Sequence, residues 1–449
     1  MLTQTIKNFV ARLFTAKPAP PSGPKILGLD QHHIDKRLVS RHAIKVCEVL
    51  QQHGFEAYIV GGAVRDLIAG LEPKDFDVAT NATPEQIRPL FRRARIIGRR
   101  FKLVHVVFGR EIIETSTFRA NGDQDVTDDH GRLLRDNAYG ELADDALRRD
   151  FTLNALYYNP TTEEVIDYHN GVADLKNRLV RIIGEPTTRY REDPVRMLRA
   201  LRFAAKLDAT IEPTTHQPIS ELASLIQHVP HSRLFDESIK LLACGNALNC
   251  LKLLHQEGLY QQVFPQLDTL LEQPEAYAFI DHALARTDSR VRTGRSLSPS
   301  FLFAALLWPT VKQKWHAYQQ QGQPPIPAMV SASDDALALQ GRTMPIQKRF
   351  QADIREIWFS QSRFERINPR AIWRMMDQPR FRASVDFLQL RAAVKEVDSV
   401  EAQWWMDLAN ADTEGRQHMV AERTPPAQKT SNRKRRRRPR KRPSASHHD

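Results

Sequence analysis

Two carboxylates one residue apart, Asp75 and Asp77 in Lys74-Asp75-Phe76-Asp77-Val78, follow a Gly61-Gly62 pair in the chain. Side chains alternate along an extended strand, so both acids project to one face while Phe76 and Val78 point into a core. Carboxylates this close repel each other unless a cation lies between them. A hard divalent ion resolves the repulsion, since Mg²⁺ is usually held by one or two carboxylates together with substrate phosphates. An Asp-x-Asp pair alone is better explained by an edge strand solvated at a turn, and the glycine context reverses that preference. Ala57-Tyr58-Ile59-Val60 reads as a short buried strand, and Gly61 to Ile68 as a tight turn opening a helix. Glycines let backbone N–H groups approach an anion, and a helix N-terminus adds favourable partial charge, which together make a cradle for a triphosphate. Arg65, one turn into that helix, and Arg149 offer planar, charge-assisted donors to phosphate oxygens.

Four segments in fixed order carry a resemblance: Gly61-Gly62-Ala63-Val64-Arg65-Asp66, Lys74 to Val78, Arg148-Arg149-Asp150-Phe151-Thr152-Leu153-Asn154-Ala155, and Arg191-Glu192-Asp193-Pro194-Val195-Arg196-Met197-Leu198-Arg199-Ala200. In these the chain resembles the nucleotidyltransferase family that contains bacterial poly(A) polymerases and CCA-adding tRNA nucleotidyltransferases. The resemblance spans Ala57 to Lys206 and thins to a general helical pattern beyond. It implies ATP as substrate, RNA 3′ ends as acceptor, and Mg²⁺ as cofactor, for which Mn²⁺ can substitute. Asp75 and Asp77 are the expected metal ligands and catalytic acids. The resemblance makes Asp150 a functional residue of the nucleotide site and Glu114 a companion of the metal pair. Glu114 lies on the strand Glu111-Ile112-Ile113-Glu114-Thr115, which pairing with a neighbour could bring beside the two aspartates; otherwise it is an exposed strand position. Asp150 reads locally as the cap of a helix whose Leu153, Leu156 and Tyr157 face inward. The Glu192-Asp193-x-x-Arg196 stretch, with Arg199 one turn on, is assigned by the resemblance to choosing the incoming base. Asp193 is expected as helix cap, Pro194 at the first position and Arg196 beside Asp193, an acceptor and a donor held side by side.

Within the family, Ile96 to Gly109 resembles the stretch characteristic of poly(A) polymerases. The expected activity is template-independent addition of AMP from ATP to RNA, releasing pyrophosphate. A CCA-adding activity is the alternative, and an inactive RNA-binding adaptor the third reading, against which the intact Asp75, Asp77 and Asp150 count. The only His-Asp dipeptide, His448-Asp449, closes the chain, which gives no sign of the phosphohydrolase domain that CCA-adding enzymes often add.

The elements that must position these residues form an α+β protein: a nucleotidyltransferase head with a mixed sheet, then all-helical neck, body and leg, then a basic tail. A chain of 449 residues with 41% hydrophobic content exceeds a single core and requires several domains. We divide it into an amphipathic segment and Pro-rich linker over 1–24, the catalytic head over 25–170, a neck with the base-selection motif over 171–235, a body over 236–345, a helical RNA-binding domain over 346–420 and a polybasic tail over 421–449. Strands are expected at Ala57–Val60, Phe76–Val78, Val104–Phe108, Ile112–Thr115 and Val165–Tyr168, with a helix over Ile34–Gln51. An acidic loop runs from Asn121 to Asn137 and lacks the glutamate that a calcium loop requires at its twelfth position. The apolar run Phe301 to Trp308 is expected to end at Pro309 as a buried helix, and helices to continue to Ala409, with Trp404-Trp405 as core anchors.

Arg433, Lys434, Arg435, Arg436, Arg437, Arg438, Arg440, Lys441 and Arg442 supply nine cations, so the rest of the chain carries +3 of the formal +12. Such a block does not fold alone, and in an RNA-directed protein it serves as an electrostatic hold on phosphates. RNA-decay or RNA-chaperone proteins are expected partners. No stretch is long enough to span a bilayer, and the amphipathic repeat of Leu2, Ile6, Phe9, Val10, Leu13 and Phe14 leaves room only for weak membrane contact. Cys47, Cys244 and Cys250 are too few and scattered for a disulfide framework or zinc site, which places the chain in a reducing cytoplasm as core thiols.

Overall fold

The computed structural model describes residues 23–98, 102–120, 139–365 and 368–423. The N-terminal repeat, the acidic loop, the middle of the Ile96–Gly109 stretch and the polybasic segment lie outside the described residues. The chain divides into two compact units, 1–358 and 359–449.

In the first unit, β1 (Lys25–Leu27), β2 (Ala57–Val60), β3 (Asp77–Thr80), β4 (Ala94–Ile97), β5 (Leu103–Phe108), β6 (Glu111–Thr117), β7 (Leu156–Asn159) and β8 (Glu164–Asp167) form one sheet in the order β1-β8-β7-β2-β3-β6-β5-β4. Neighbours are antiparallel except β3 and β6, which run parallel. The helix Arg41–Gln52 covers one face. Ser40 caps it by accepting from the His42 and Ala43 N–H groups, and Ala43, Val46, Cys47 and Leu50 recur on its inner side. They pack with Ile59, Val78, Val106 and Ile113 in the main core. The opposite face buries Val60, Ala79 and Tyr157 against Phe118 and against Leu142 and Ala146 of the helix Leu142–Arg148.

The five expected strands are present, Ala57–Val60 with the expected bounds and the other four with shifted ends, and β1, β4 and β7 add to them. The helix expected after Asp150 is instead one 3₁₀ turn, Thr152–Asn154, followed by β7. Leu156, Tyr157 and Tyr158 are all fully buried, so β7 has apolar contacts on both faces and shows none of the alternation that marks a half-buried strand.

Beyond the head the first unit is helical apart from a small parallel pair, Leu179–Val180 with Thr210–Ile211. The helix Pro299–Gln320 runs straight through Pro309. An interior proline removes one backbone donor and costs about 3 kcal/mol. Burial of Leu302, Phe303, Leu306, Leu307, Trp308, Val311 and Trp315 on both sides of it outweighs that cost. Among the described residues no helix is long and apolar enough to cross a membrane.

The second unit packs the helices Pro369–Met376, Phe381–Ala393, Ser399–Asn410 and Thr413–Arg423 around Phe364, Ile372, Val385, Leu388, Trp405 and Leu408. Trp405 is fully buried, with Phe364 at 4.9 Å and Phe381 at 6.2 Å, as expected of a core anchor. Helix continues to Arg423, past the expected end at Ala409.

Candidate active site

β2 ends at Val60, which pairs with Asp77 at the start of β3. The glycine turn therefore abuts the acidic pair. Asp75 sits in the loop ahead of the strand, exposed like Asp77, while Phe76 and Val78 are buried. On the other side, the parallel pairing of β3 and β6 sets Asp77 directly against Glu114. Of the two candidates for a third acid, the fold thus brings Glu114 to the aspartates. Burial, then the Glu114 charge and that of Asp75 push the Asp77 carboxyl up to about 6, while Arg149 pulls the other way. Asp77 is open to solvent on one side, yet protein packs around the rest of its carboxyl, so burial contributes most to the rise. His105, opposite Glu114 on β5, places Nε2 3.3 Å from the Glu114 Oε1.

These acids suit a divalent metal. Three carboxylates gathered where the central strand β3 begins beside β6, one of them resisting ionisation, form a donor set that gains from a cation. Among the described residues no group of three or more His, Cys, Asp or Glu side chains is placed to hold a metal ion by itself, so substrate oxygens would have to complete the coordination.

Gly61 adopts φ +73°, a conformation side chains rarely take, and a Cβ there would lie 3.3 Å from Arg149 Nη1. Arg149 is aimed by its neighbours: Nε and Nη2 donate to Asp145 at 3.1 and 2.9 Å, Nε also to the Tyr157 hydroxyl at 2.8 Å, and Nη1 to the Asn154 carbonyl at 3.3 Å. Its guanidinium lies beside the glycine turn and within electrostatic reach of Asp77.

Arg65 differs from expectation. Its guanidinium is buried against the Phe203 ring, with Nε and Nη2 donating to Asp66 Oδ1 at 2.9 and 2.7 Å and Nη1 to Asn154 Oδ1 at 2.7 Å. It faces the interior, held there by Asp66 and Asn154. Asp150 is not a helix cap: Oδ1 accepts from the Phe151 N–H at 2.8 Å and Asn154 Nδ2 at 3.0 Å, and Oδ2 from Arg199 Nε at 2.6 Å. Burial raises its pKa, but the Arg199 charge and these hydrogen bonds overcome that and hold it well below the usual carboxylate range. Lys206 donates to Asp66 at 2.7 Å. A chain of buried polar contacts thus runs from Lys206 through Asp66, Arg65, Asn154 and Asp150 to Arg199, tying glycine-turn helix, Arg148–Ala155 segment and neck helix together. Asn154 is its hub, a role that its place inside a quoted motif did not disclose.

The base-selection stretch also departs from the expected pairing. Asp193 caps the C-terminus of the helix Pro186–Glu192, and Pro194 precedes the neck helix Val195–Leu207. The Asp193 carboxylate turns to Arg233 at 2.5 Å, and Arg196 Nη1 donates to Glu192 Oε2 at 2.8 Å and to the Arg189 carbonyl at 2.7 Å. Asp193 Oδ1 is buried and has no hydrogen-bond partner among the described residues. Arg189, absent from the expected set, donates through Nη2 to the Arg148 and Arg149 carbonyls at 2.7 Å each and clamps this stretch to the segment that carries Arg149.

Residues 57–181 match the family model described as "Poly A polymerase head domain", 208–271 "Probable RNA and SrmB- binding site of polymerase A", and 321–442 "Polymerase A arginine-rich C-terminus". Poly(A) polymerase I of Haemophilus influenzae is 46% identical over 404 residues, covering 87% of this chain and 89% of that protein. A CCA-adding enzyme of Bacillus licheniformis is 36% identical over 226 residues, 50% of this chain and 56% of that enzyme. Among solved structures, an apo CCA-adding enzyme shares the fold with a TM-score of 0.53 at 19% identity, over 88% of this chain and 85% of that one. Full-length likeness to the first, against half-length likeness to the second, decides between the branches: this chain belongs to the poly(A) polymerase I family of nucleotidyltransferases.

Proposed function

We propose that this chain extends RNA 3′ ends with AMP from ATP, using Asp75, Asp77 and Glu114 as the metal-holding edge. The observation that carries the reading is the parallel register that sets Glu114 against Asp77 beside the glycine turn. Divalent metal held there would supply charge neutralisation at the attacking and leaving oxygens. The RNA 3′ oxygen bonds to the ATP α-phosphorus and the bond to the bridging oxygen breaks, so pyrophosphate leaves. Arg149, pre-aimed by Asp145 and Tyr157, contacts the triphosphate as it approaches over Gly61. Arg65, Asn154, Asp150 and Arg199 hold the surrounding backbone in place. Labelled ATP and CTP offered separately with a plain oligoribonucleotide test the reading: long A tracts support it, while a short CCA end made only on tRNA, or no incorporation, overturns it.

Base choice falls to Asp193 and Arg196. Adenine and cytosine both present an amino donor beside a ring-nitrogen acceptor, so the unpartnered Asp193 Oδ1 and an Arg196 donor could serve either. Discrimination then depends on how firmly the pair is held, by Arg233 on one side and by Glu192 and the Arg189 carbonyl on the other. Arg233→Ala and Arg196→Ala are each expected to lower the ATP-over-CTP preference several-fold, the equivalent of ~1 kcal/mol or somewhat more, with a smaller effect on total incorporation. Full discrimination in both variants would move base choice elsewhere.

RNA is gripped by the second unit and the tail in this reading. Arg370, Trp373 and Arg374 share the exposed face of the helix Pro369–Met376, an aromatic between two cations of the kind that stacks on single-stranded bases. One salt titration separates the two elements. Deleting 433–449 should make the slope of log K against log salt shallower by roughly 3 to 4 if about five of the nine cations neutralise phosphates, at ~0.7 per contact. Trp373→Ala should weaken binding at every salt concentration and leave the slope alone. An unchanged slope in the truncation, or unchanged affinity in Trp373→Ala, removes the corresponding contact.

A further inference from the structure

Cys244 follows the helix His231–Leu242, and Cys250 lies in the first turn of the helix Ala247–Gln256. The turn between them folds back through Gly245 at φ +90° and sets the two sulfurs 3.2 Å apart. Cys250 is fully buried, whereas Cys244 is half-buried and open to solvent. The turn is fastened on both sides. The Asn246 N–H points at Cys244 Sγ at 3.4 Å, Asn246 Nδ2 donates to the Ala205 carbonyl of the neck helix at 2.9 Å, and the Ala247 N–H donates to the Asp288 carboxylate at 3.0 Å. Arg202 of the neck helix faces the pair as a positive charge, and Asp288 as the opposing negative one.

A buried thiol is usually an inert small hydrophobe. This pair is unequal in a way that inert packing does not require. The hydrogen bond from Cys250 draws the Cys244 thiol down, with the Asn246 N–H and Arg202 acting the same way against burial, while that contact and burial drive Cys250 up. The half-buried sulfur is the one an oxidant can reach and the fully buried one is sheltered as a resolving group, the division of labour a dithiol needs.

We propose that Cys244 and Cys250 form a thiol–disulfide site that is oxidised by small-molecule disulfides of the glutathione class. The Cys244 thiolate attacks one sulfur of the oxidant, whose S–S bond breaks and releases one thiolate. Cys250 then attacks Cys244 Sγ, breaking the mixed disulfide, and its proton passes to the departing sulfur, which leaves as the second thiol. Two cysteine thiols are oxidised, and one disulfide is reduced to two thiols. The sulfurs need close by only about 1 Å to reach bonding distance. Because Asn246 is anchored to the helix that carries Arg196 and Arg199, the site sits where the turn meets the base-selection element.

Full-length protein incubated under native conditions with oxidised glutathione is expected to lose the mass of two hydrogens, to show Cys244 linked to Cys250 in a non-reduced peptide map, and to return to the starting mass with dithiothreitol. Cys250→Ser is expected to stop at one glutathione on Cys244, and Cys244→Ser to acquire neither the link nor an adduct at Cys250. Native wild-type protein that keeps its mass, or a Cys250→Ser protein left unmodified at Cys244, overturns the proposal. A Cys244→Ser protein that is glutathionylated at Cys250 overturns the order of attack and with it the division of roles.

Discussion

Asp77→Ala protein should bind RNA as the wild type does and turn over ATP slower by on the order of 10³-fold or more. The expectation follows from position. Asp77 is the residue at which β2, β3 and β6 meet, paired with Val60 at the glycine turn and with Glu114 across the parallel register. Losing it removes charge only from the reacting centre, where metal-held oxygens contribute several kcal/mol, and each 1.4 kcal/mol is a factor of ten in rate. Asp75→Ala should fall in the same class. Asp77→Asn and Glu114→Gln keep the shape and remove one charge each, so they separate electrostatics from packing. Turnover at saturating RNA and ATP is the measurement. Near-normal rates in either aspartate variant would end the assignment of the metal-holding edge.

That edge was half legible in the sequence. The alternation of Asp75 and Asp77 with Phe76 and Val78 is a local property of an extended chain, and it survives in the fold although the strand itself begins only at Asp77. Glu114 could be nominated because its strand was visible, but no local signal says that β6 runs parallel to β3 rather than antiparallel, and only the parallel register sets it against Asp77. Arg65 shows the opposite case. A local pattern pointed it at phosphate, while two partners, one adjacent and one 89 residues away, took its donors into the interior. Arg233 and Arg189 were illegible for a related reason. A charged residue on a helix reads as a solvated face until the fold brings Asp193 or a pair of carbonyls to it. Likewise the pair Cys244 and Cys250 looked scattered, because the reversal through Gly245 that joins their sulfurs depends on anchors at Ala205 and Asp288. β7 was lost to a different ambiguity, that of an apolar run buried on both faces.

Asp150→Ala should be among the most destabilising single changes in the first unit. Asp150 pairs with Arg199, the two are largely buried, and the other acids acting on that guanidinium are more distant, Glu237 at 4.0 Å and then Asp193. Removing one member of a buried pair leaves the other charge uncompensated, typically at 3–5 kcal/mol, about 4 kcal/mol for a fully closed pair. The loss should show as a lower midpoint of urea unfolding followed by fluorescence. Replacing both partners relieves the stranded charge, so Asp150→Ala combined with Arg199→Leu should be more stable than Asp150→Ala alone. Acid gives an independent reading. The folded-state pKa of Asp150 lies below its unfolded value, so the pair's stabilisation is complete above the ordinary carboxylate range and is lost as pH falls through that range toward the folded pKa. The double variant should lack this part of the acid sensitivity. If Asp150→Ala keeps the wild-type midpoint and loses only turnover, the carboxylate serves the nucleotide directly and the polar chain through Asn154 is not what holds the head to the neck helix.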